Sequence, residues 1–153
     1  MVFFSTLLEA FDAIGAALGR PYWLALLGEA WGKAGQAEEG LRALAEALEA
    51  MQTSGERRWE AEIYRLKGQL LLTPGATHDD EAEACFQQAL DVARRQQAKV
   101  LELRAAMSLS RLWLCQGKCV EARQLLAAVY NWFTEGFETA DLRGATMLLA
   151  ELA

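Results

Sequence analysis

Proline is scarce in this 153-residue sequence, which contains only Pro21 and Pro74. The sequence also lacks the strict alternation of apolar and polar residues that is typical of a half-buried strand. Alanine and leucine are its commonest residues, and both have a high intrinsic helix propensity. These features predict an all-α protein, and the length suits one domain with a buried core over residues 1–153.

Long apolar runs are also missing, since no stretch approaches the roughly 20 apolar residues that a membrane-spanning helix needs. The first residues resemble a signal peptide, but they carry no basic segment, and Glu9 and Asp12 interrupt their apolar run. The three cysteines, Cys85, Cys115 and Cys119, are an odd number with no disulfide framework. We therefore expect a cytoplasmic protein without a membrane span.

Basic residues are outnumbered, with 15 Lys and Arg against 21 Asp and Glu, and the formal net charge is −6. Nucleic-acid binding relies on cations that neutralise phosphates, and anionic membrane surfaces attract the same cations. The composition therefore argues against nucleic-acid and membrane partners.

The single histidine, His78, is followed by acidic residues in the segment THDDEAE. One interpretation is a metal site formed by His78, Asp79, Asp80 and Glu81. Consecutive residues of a helix point in different directions, however, and acidic residues are favoured at a helix N-terminus by the helix dipole. We favour a plain helix start, and no Ser/His/Asp set can be assembled around one histidine. The sequence predicts no catalytic residue and no enzyme activity.

The sequence also contains no complete motif for binding a cofactor. Cys115 and Cys119 lie on the two sides of a predicted turn, but a zinc site needs four Cys or His ligands and there is no second pair. Gly32-Lys33 lacks the glycine spacing and the Ser/Thr of a phosphate-binding loop. The five tryptophans could form a ligand cage, but aromatic residues at helical spacing more often belong to the core. We predict neither a cofactor nor a metal ion.

A repeated pattern of small and large residues organises the helices. Small residues recur at Gly40, Ala82 and Ala122, and a large residue follows each of them four positions later. Small residues let two helices approach closely while large ones fill the neighbouring space, so that stacked hairpins bury a continuous core. The pattern predicts a partial leading helix over 1–19, hairpins over 21–52, 56–96 and 98–133, and a capping helix over 138–152.

This pattern resembles the tetratricopeptide repeat, in which a small residue and a large one on the first helix precede Ala, a bulky residue and Ala on the second. The matching positions of the three hairpins are Gly28, Trp31, Gly35, Gly40, Leu44 and Ala47; Tyr64, Gly68, Leu71, Ala82, Phe86 and Ala89; and Ser110, Trp113, Gly117, Ala122, Leu126 and Val129. The spacing of 40 to 42 residues is longer than the usual repeat of about 34, and the closing proline is missing. The resemblance implies a right-handed α-α superhelix, a TPR-like solenoid.

Residues 20–152 are also similar to the C-terminal region of bacterial predicted ATPases that often carry an adenylate/guanylate cyclase domain. The segment WFTEGFETADL is the most specific part of this similarity. The chain has neither the ATPase nor the cyclase domain, so the similarity implies a regulatory segment of a bacterial signalling protein rather than either activity.

The resemblance implies a function in protein–protein interaction, with the first helix of each hairpin lining a groove. Arg65, Arg104 and Arg111 could bind the carboxylates of an acidic protein or peptide. Alternatively, these arginines pair with Glu29, Glu62 and Glu102, and the sequence leaves both interpretations open. The predicted groove residues are Tyr22, Glu29, Lys33, Glu62, Arg65, Gln69, Arg104, Met107 and Arg111.

Two alternative functions remain. A solenoid that senses a small ligand should have a deep pocket with converging polar groups, whereas a scaffold should have a broad, shallow groove. A structural homo-oligomerisation domain is the other alternative. The leading helix carries an apolar stripe that would need cover, from which we expect self-association, most simply as a homodimer. The residues of this stripe are Phe4, Leu7, Phe11 and Ile14.

Overall fold

The computed structural model describes residues 19–72 and 78–153, together with Thr6, Glu9 and Ala10. This part of the chain contains seven α-helices and no strand, which confirms the predicted all-α class. The predicted self-association residues of the leading helix, Phe4, Leu7, Phe11 and Ile14, lie outside the described residues. The helices are α1 (Arg20–Lys33), α2 (Ala37–Ser54), α3 (Glu60–Leu71), α4 (Asp79–Arg95), α5 (Lys99–Cys115), α6 (Cys119–Tyr130) and α7 (Ala140–Glu151).

The contacts between helices follow a simple rule. Each helix from α1 to α6 packs against the next one in the chain. In addition, α1 contacts α3, α3 contacts α5, and α5 contacts α7, while no close backbone contact joins the described residues of α2, α4 and α6 to one another. The odd-numbered helices therefore form a continuous row. None of the described helices combines the length and the apolar character that crossing a bilayer requires.

The two helices of a pair approach most closely where the sequence has small residues. A Cβ atom on Gly40 would lie 2.9 Å from the carbonyl oxygen of Gly28, so only glycine fits there. In the third pair the corresponding residues are joined by a hydrogen bond, which the Ser110 hydroxyl donates to the Ala122 carbonyl over 3.1 Å. The backbones of α1 and α2, and of α5 and α6, therefore meet at equivalent points.

Large side chains fill the space beside each close approach. Leu44, Phe86 and Leu126 occupy the same repeat position on α2, α4 and α6, and all three are buried. In the second pair the ring of Phe86 lies directly over Gly68, where an added Cβ atom would be 2.6 Å from a ring carbon. Helix packing in this pair therefore depends on the absence of a side chain at residue 68.

The substitutions Gly68→Ala and Gly144→Ala test this dependence as a matched pair. Each replaces a helical glycine, which by itself should favour the helix by about 1 kcal/mol. At Gly68 the new methyl group meets the buried Phe86 ring, whereas at Gly144 it meets the flexible end of the Met107 side chain at 3.0 Å. Because overpacking costs about 1–3 kcal/mol, we expect Gly68→Ala to be less stable than Gly144→Ala by about that amount in urea denaturation. Equal stability of the two variants would contradict the packing described here.

Candidate functional site

A cavity of about 490 Å³ lies along the row of odd-numbered helices. Four helices line it: α1, α3, α5 and α7. Helix α7 contributes Ala140, Asp141 and Gly144. The repeat pattern in the sequence had not indicated any of these three as a groove residue. Of the predicted groove residues, the structure brings six together at this cavity: Glu29, Glu62, Arg65, Arg104, Met107 and Arg111.

Helical periodicity explains why these side chains converge. Arg104, Met107 and Arg111 are three and four residues apart, which places them on one face of α5. Another face of the same helix carries Leu109 and Leu112, which are buried in the core. Burial of the apolar face therefore directs the arginines into the cavity.

Arg65 is already paired inside the protein. Its Nε atom donates to Glu62 Oε2 over 2.9 Å, and its Nη2 atom donates to Glu62 Oε1 over 2.6 Å. The side chains are 13% and 14% exposed, so this two-point contact is largely shielded from water. Arg65 therefore holds Glu62 in place and has little capacity left for a ligand.

Arg104 connects three helices. Its Nε atom lies 3.0 Å from Asp141 Oδ2 on α7, and its Nη1 atom lies 3.8 Å from Glu62 Oε1 on α3. The hydrogen bonds to Asp141 raise the pKa of Arg104 above its ordinary value; desolvation opposes this rise, and the charges of Asp141, Glu62 and Glu29 add to it. Arg104 therefore remains a fixed cation that joins α7 to α3 and α5.

Arg111 differs from the other two arginines because it is exposed and forms no ion pair with any described residue. It borders both the main cavity and a second cavity of about 330 Å³, which Gln69, Leu72 and Leu112 also line. Ser108 likewise borders both cavities, so the two are adjacent. The guanidinium of Arg111 is thus the cation of this site that is open to an incoming carboxylate.

The remaining predicted groove residues have different environments. Gln69 lies in the second cavity. Tyr22 packs its ring against Trp59, with the ring centroids 4.7 Å apart. Lys33 is largely exposed and pairs with Glu29 over 2.7 Å. The structure therefore does not bring Tyr22 and Lys33 to the cavity with the other groove residues.

The alternative in which the groove arginines pair internally holds for two of the three. Glu62 is a partner of both Arg65 and Arg104, as that interpretation expects. Glu102, by contrast, pairs with Arg94 and with Lys99 at the other end of α5. The role of Asp141 as a partner of Arg104 was not predicted, because the repeat pattern ends before α7 and gives no information on how that helix packs.

The segment around His78 forms the start of α4. The helix begins at Asp79 with three acidic residues in its first turn, and His78 Nδ1 lies 3.5 Å from Glu81 Oε1. Within residues 19–72 and 78–153, no three His, Cys, Asp or Glu side chains are grouped as metal ligands would be. The described cysteines, Cys85, Cys115 and Cys119, are free thiols, and burial raises the pKa of Cys85.

No protein-family model matches the chain, and no curated protein matches it either.

A double-mutant cycle on Arg104→Gln and Asp141→Asn tests the contact between α5 and α7. The side chains are 39% and 31% exposed, so solvent screens the pair, and we expect a coupling free energy of about 0.5–1 kcal/mol that decreases with salt. The more exposed pair Arg42–Glu39 is the control and should couple by less than about 0.5 kcal/mol. Coupling at Arg104–Asp141 no larger than the control would mean that this pair does not anchor α7.

Proposed function

We propose that this chain is a non-catalytic protein–protein interaction module that binds an acidic peptide segment along its odd-numbered helices. The observation that carries the proposal is Arg111, which borders two adjacent cavities and has no carboxylate partner among the described residues. A guanidinium presents several donors in a plane and binds a carboxylate through two parallel hydrogen bonds. A glutamate or aspartate of the partner is the group that fits this position.

The second cavity supports a peptide rather than an isolated carboxylate. Leu72, Phe86 and Leu112 line it beside Arg111; Phe86 and Leu112 are almost fully buried, so the apolar surface that a bound group meets is mainly that of Leu72. The exposed Asp79 also lines this cavity. A peptide with an acidic residue adjacent to an apolar one satisfies both features. The paired arginines contribute differently: Arg65 and Arg104 position Glu62 and Asp141, which form the charged wall of the main cavity.

From the sequence resemblance we further propose that the chain is a TPR-like, right-handed solenoid and a regulatory segment of a bacterial signalling ATPase or cyclase-type protein in the cytoplasm. The contacts among odd-numbered helices and the recurring close approaches support a stacked arrangement of helix pairs. A homodimer formed through the leading helix belongs to the same proposal, and light scattering that found only monomer would contradict it.

One observation favours a second candidate function, the sensing of a small ligand. Charged side chains from α1, α3, α5 and α7 converge on the main cavity, and its volume of about 490 Å³ lies within the range of small-ligand sites. A dicarboxylate such as succinate is far smaller than the main cavity and carries no apolar group for the second cavity. Tight binding of succinate alone would favour the sensing function, whereas a requirement for an apolar residue next to the carboxylate would favour the peptide function.

Selection from a peptide library tests the proposed function even though no partner has been identified. A displayed library of random decapeptides would be selected in parallel on the wild-type protein, on Arg111→Gln and on Arg123→Gln. Arg123 is an exposed arginine of α6 that lines neither cavity, which makes its variant a matched control. We expect the wild type and the control to enrich the same peptides, with an acidic residue next to an apolar one, and Arg111→Gln to lose them.

Salt provides a second readout of the same interaction. Binding of the selected peptides should weaken as ionic strength rises, because the Arg111 contact is exposed to solvent. Enrichment without acidic residues, or an identical set of peptides on Arg111→Gln, would contradict the proposed site.

A further inference from the structure

Trp132 has an unusual environment for a tryptophan of this protein. It follows α6 and is 58% exposed, whereas Trp59 and Trp113 pack against the core. Its neighbours are Phe133, which meets it edge-on with ring centroids 5.2 Å apart, and Lys99, whose ammonium lies 5.5 Å from its ring centroid. Core packing therefore does not explain the position of the Trp132 ring.

Two cations line the same cavity as this ring, and both are held by one buried carboxylate. Arg94 Nε is 3.1 Å from Glu102 Oε1, and Lys99 Nζ is 2.8 Å from Glu102 Oε2. Burial alone would raise the pKa of Glu102, but the hydrogen bonds from Lys99 and Arg94 outweigh it and hold the pKa below its ordinary value. Glu102 is thus ionised at neutral pH, and the cluster carries one net positive charge. Because Arg94 uses only Nε, its two Nη groups remain available to an anion.

The turn between α4 and α5 provides a third and independent feature. Gln97 has a φ of 54° and is the one described residue other than glycine with a positive φ. The turns after α1 and α5 have the same hydrogen bonds, yet they place Gly35 and Gly117 at this point, with φ of 76° and 78°. A side chain in this conformation is strained, and such strain is found at functional sites more often than elsewhere. Here it brings the Gln97 side chain to the same cavity as the two cations.

We propose that the cavity formed by Arg94, Gln97, Lys99 and Trp132 binds a small planar aromatic anion. The cavity has a volume of about 530 Å³, which accommodates a ligand with one or two rings. The aromatic ring of the ligand stacks on the exposed indole, its anionic group contacts Arg94 Nη and Lys99 Nζ, and the Gln97 amide completes the polar contacts. Nucleoside monophosphates and aromatic carboxylates both combine an aromatic ring with an anionic group.

The site is separate from the peptide groove. Lys99 is the first residue of α5 and Arg111 lies twelve residues further along it, which corresponds to roughly 18 Å along the helix axis. The inference does not depend on the proposed peptide-binding function, and either can fail alone.

Calorimetric titration with four probes tests the inference. The probes are AMP and phenylacetate, which combine a ring with an anion, and inorganic phosphate and adenosine, which each have only one of these features. We expect AMP, phenylacetate or both to bind at least about tenfold more tightly than phosphate and adenosine, because stacking and charge act together. Tighter binding of AMP than of phenylacetate would identify a site for nucleoside monophosphates, and the reverse order would identify a site for aromatic carboxylates.

Variants with matched controls locate the binding. Trp132→Leu and Arg94→Gln should each weaken binding at least about tenfold, while Phe137→Leu and Arg95→Gln, which alter an exposed aromatic and an exposed arginine nearby, should leave it unchanged. Arg94→Gln keeps the Lys99–Glu102 pair, so the fold retains its buried contact. Thermal unfolding of each variant checks that it is folded.

The variant Gln97→Gly distinguishes a role of Gln97 in ligand binding from a purely structural role. Glycine relieves the strained conformation, so this variant should unfold at a higher temperature than the wild type and yet bind the ligand more weakly. The inference is overturned if neither ring-bearing anion binds at concentrations of up to roughly 10 mM, a very weak affinity. It is also overturned if phosphate binds as tightly as AMP and phenylacetate, or if the Trp132 and Arg94 variants bind like their controls.

Discussion

The packing of the described helices relies on the close approach of paired helices at small residues. Gly28 and Gly40 allow α1 and α2 to meet backbone to backbone, and Gly68 makes room for the Phe86 ring. In the third pair Ser110 takes the equivalent position and uses its hydroxyl to bond the facing backbone. Each pair therefore has a defined separation, and the odd-numbered helices can lie in a row.

The row of odd-numbered helices carries a cluster of charged side chains along one face. Glu62 and Asp141 are held by Arg65 and Arg104, and these internal pairs leave Arg111 as the cation that is open to a partner. Ion pairs that are partly buried keep their geometry better than those in open solvent, because water screens them less. The paired residues thus fix the shape of the groove, and we propose that the unpaired Arg111 gives it specificity for an anion.

Much of this arrangement could be predicted from the sequence, because helical periodicity and residue size are local properties. The all-α class followed from composition, and the positions of Gly40, Ala82 and Ala122 indicated where helices approach. The pairing of Arg104 with Asp141 could not be predicted, since Asp141 belongs to a helix beyond the repeat and the packing of that helix is a long-range property. The positive φ of Gln97, in the turn between α4 and α5, could not be predicted, because glutamine gives no signal for it and only the folded backbone reveals it.

We propose that the face formed by the odd-numbered helices binds a carboxylate of a partner through Arg111. The most direct measurement follows the Nε–H signals of the arginine side chains by NMR while an acidic peptide selected on the protein is added. We expect the Arg111 signal to shift most, those of Arg65 and Arg104 to shift less, and the Arg42 and Arg123 signals not to move. Saturable binding that shifts the signals of Arg42 or Arg123 and leaves Arg111 unchanged would contradict it.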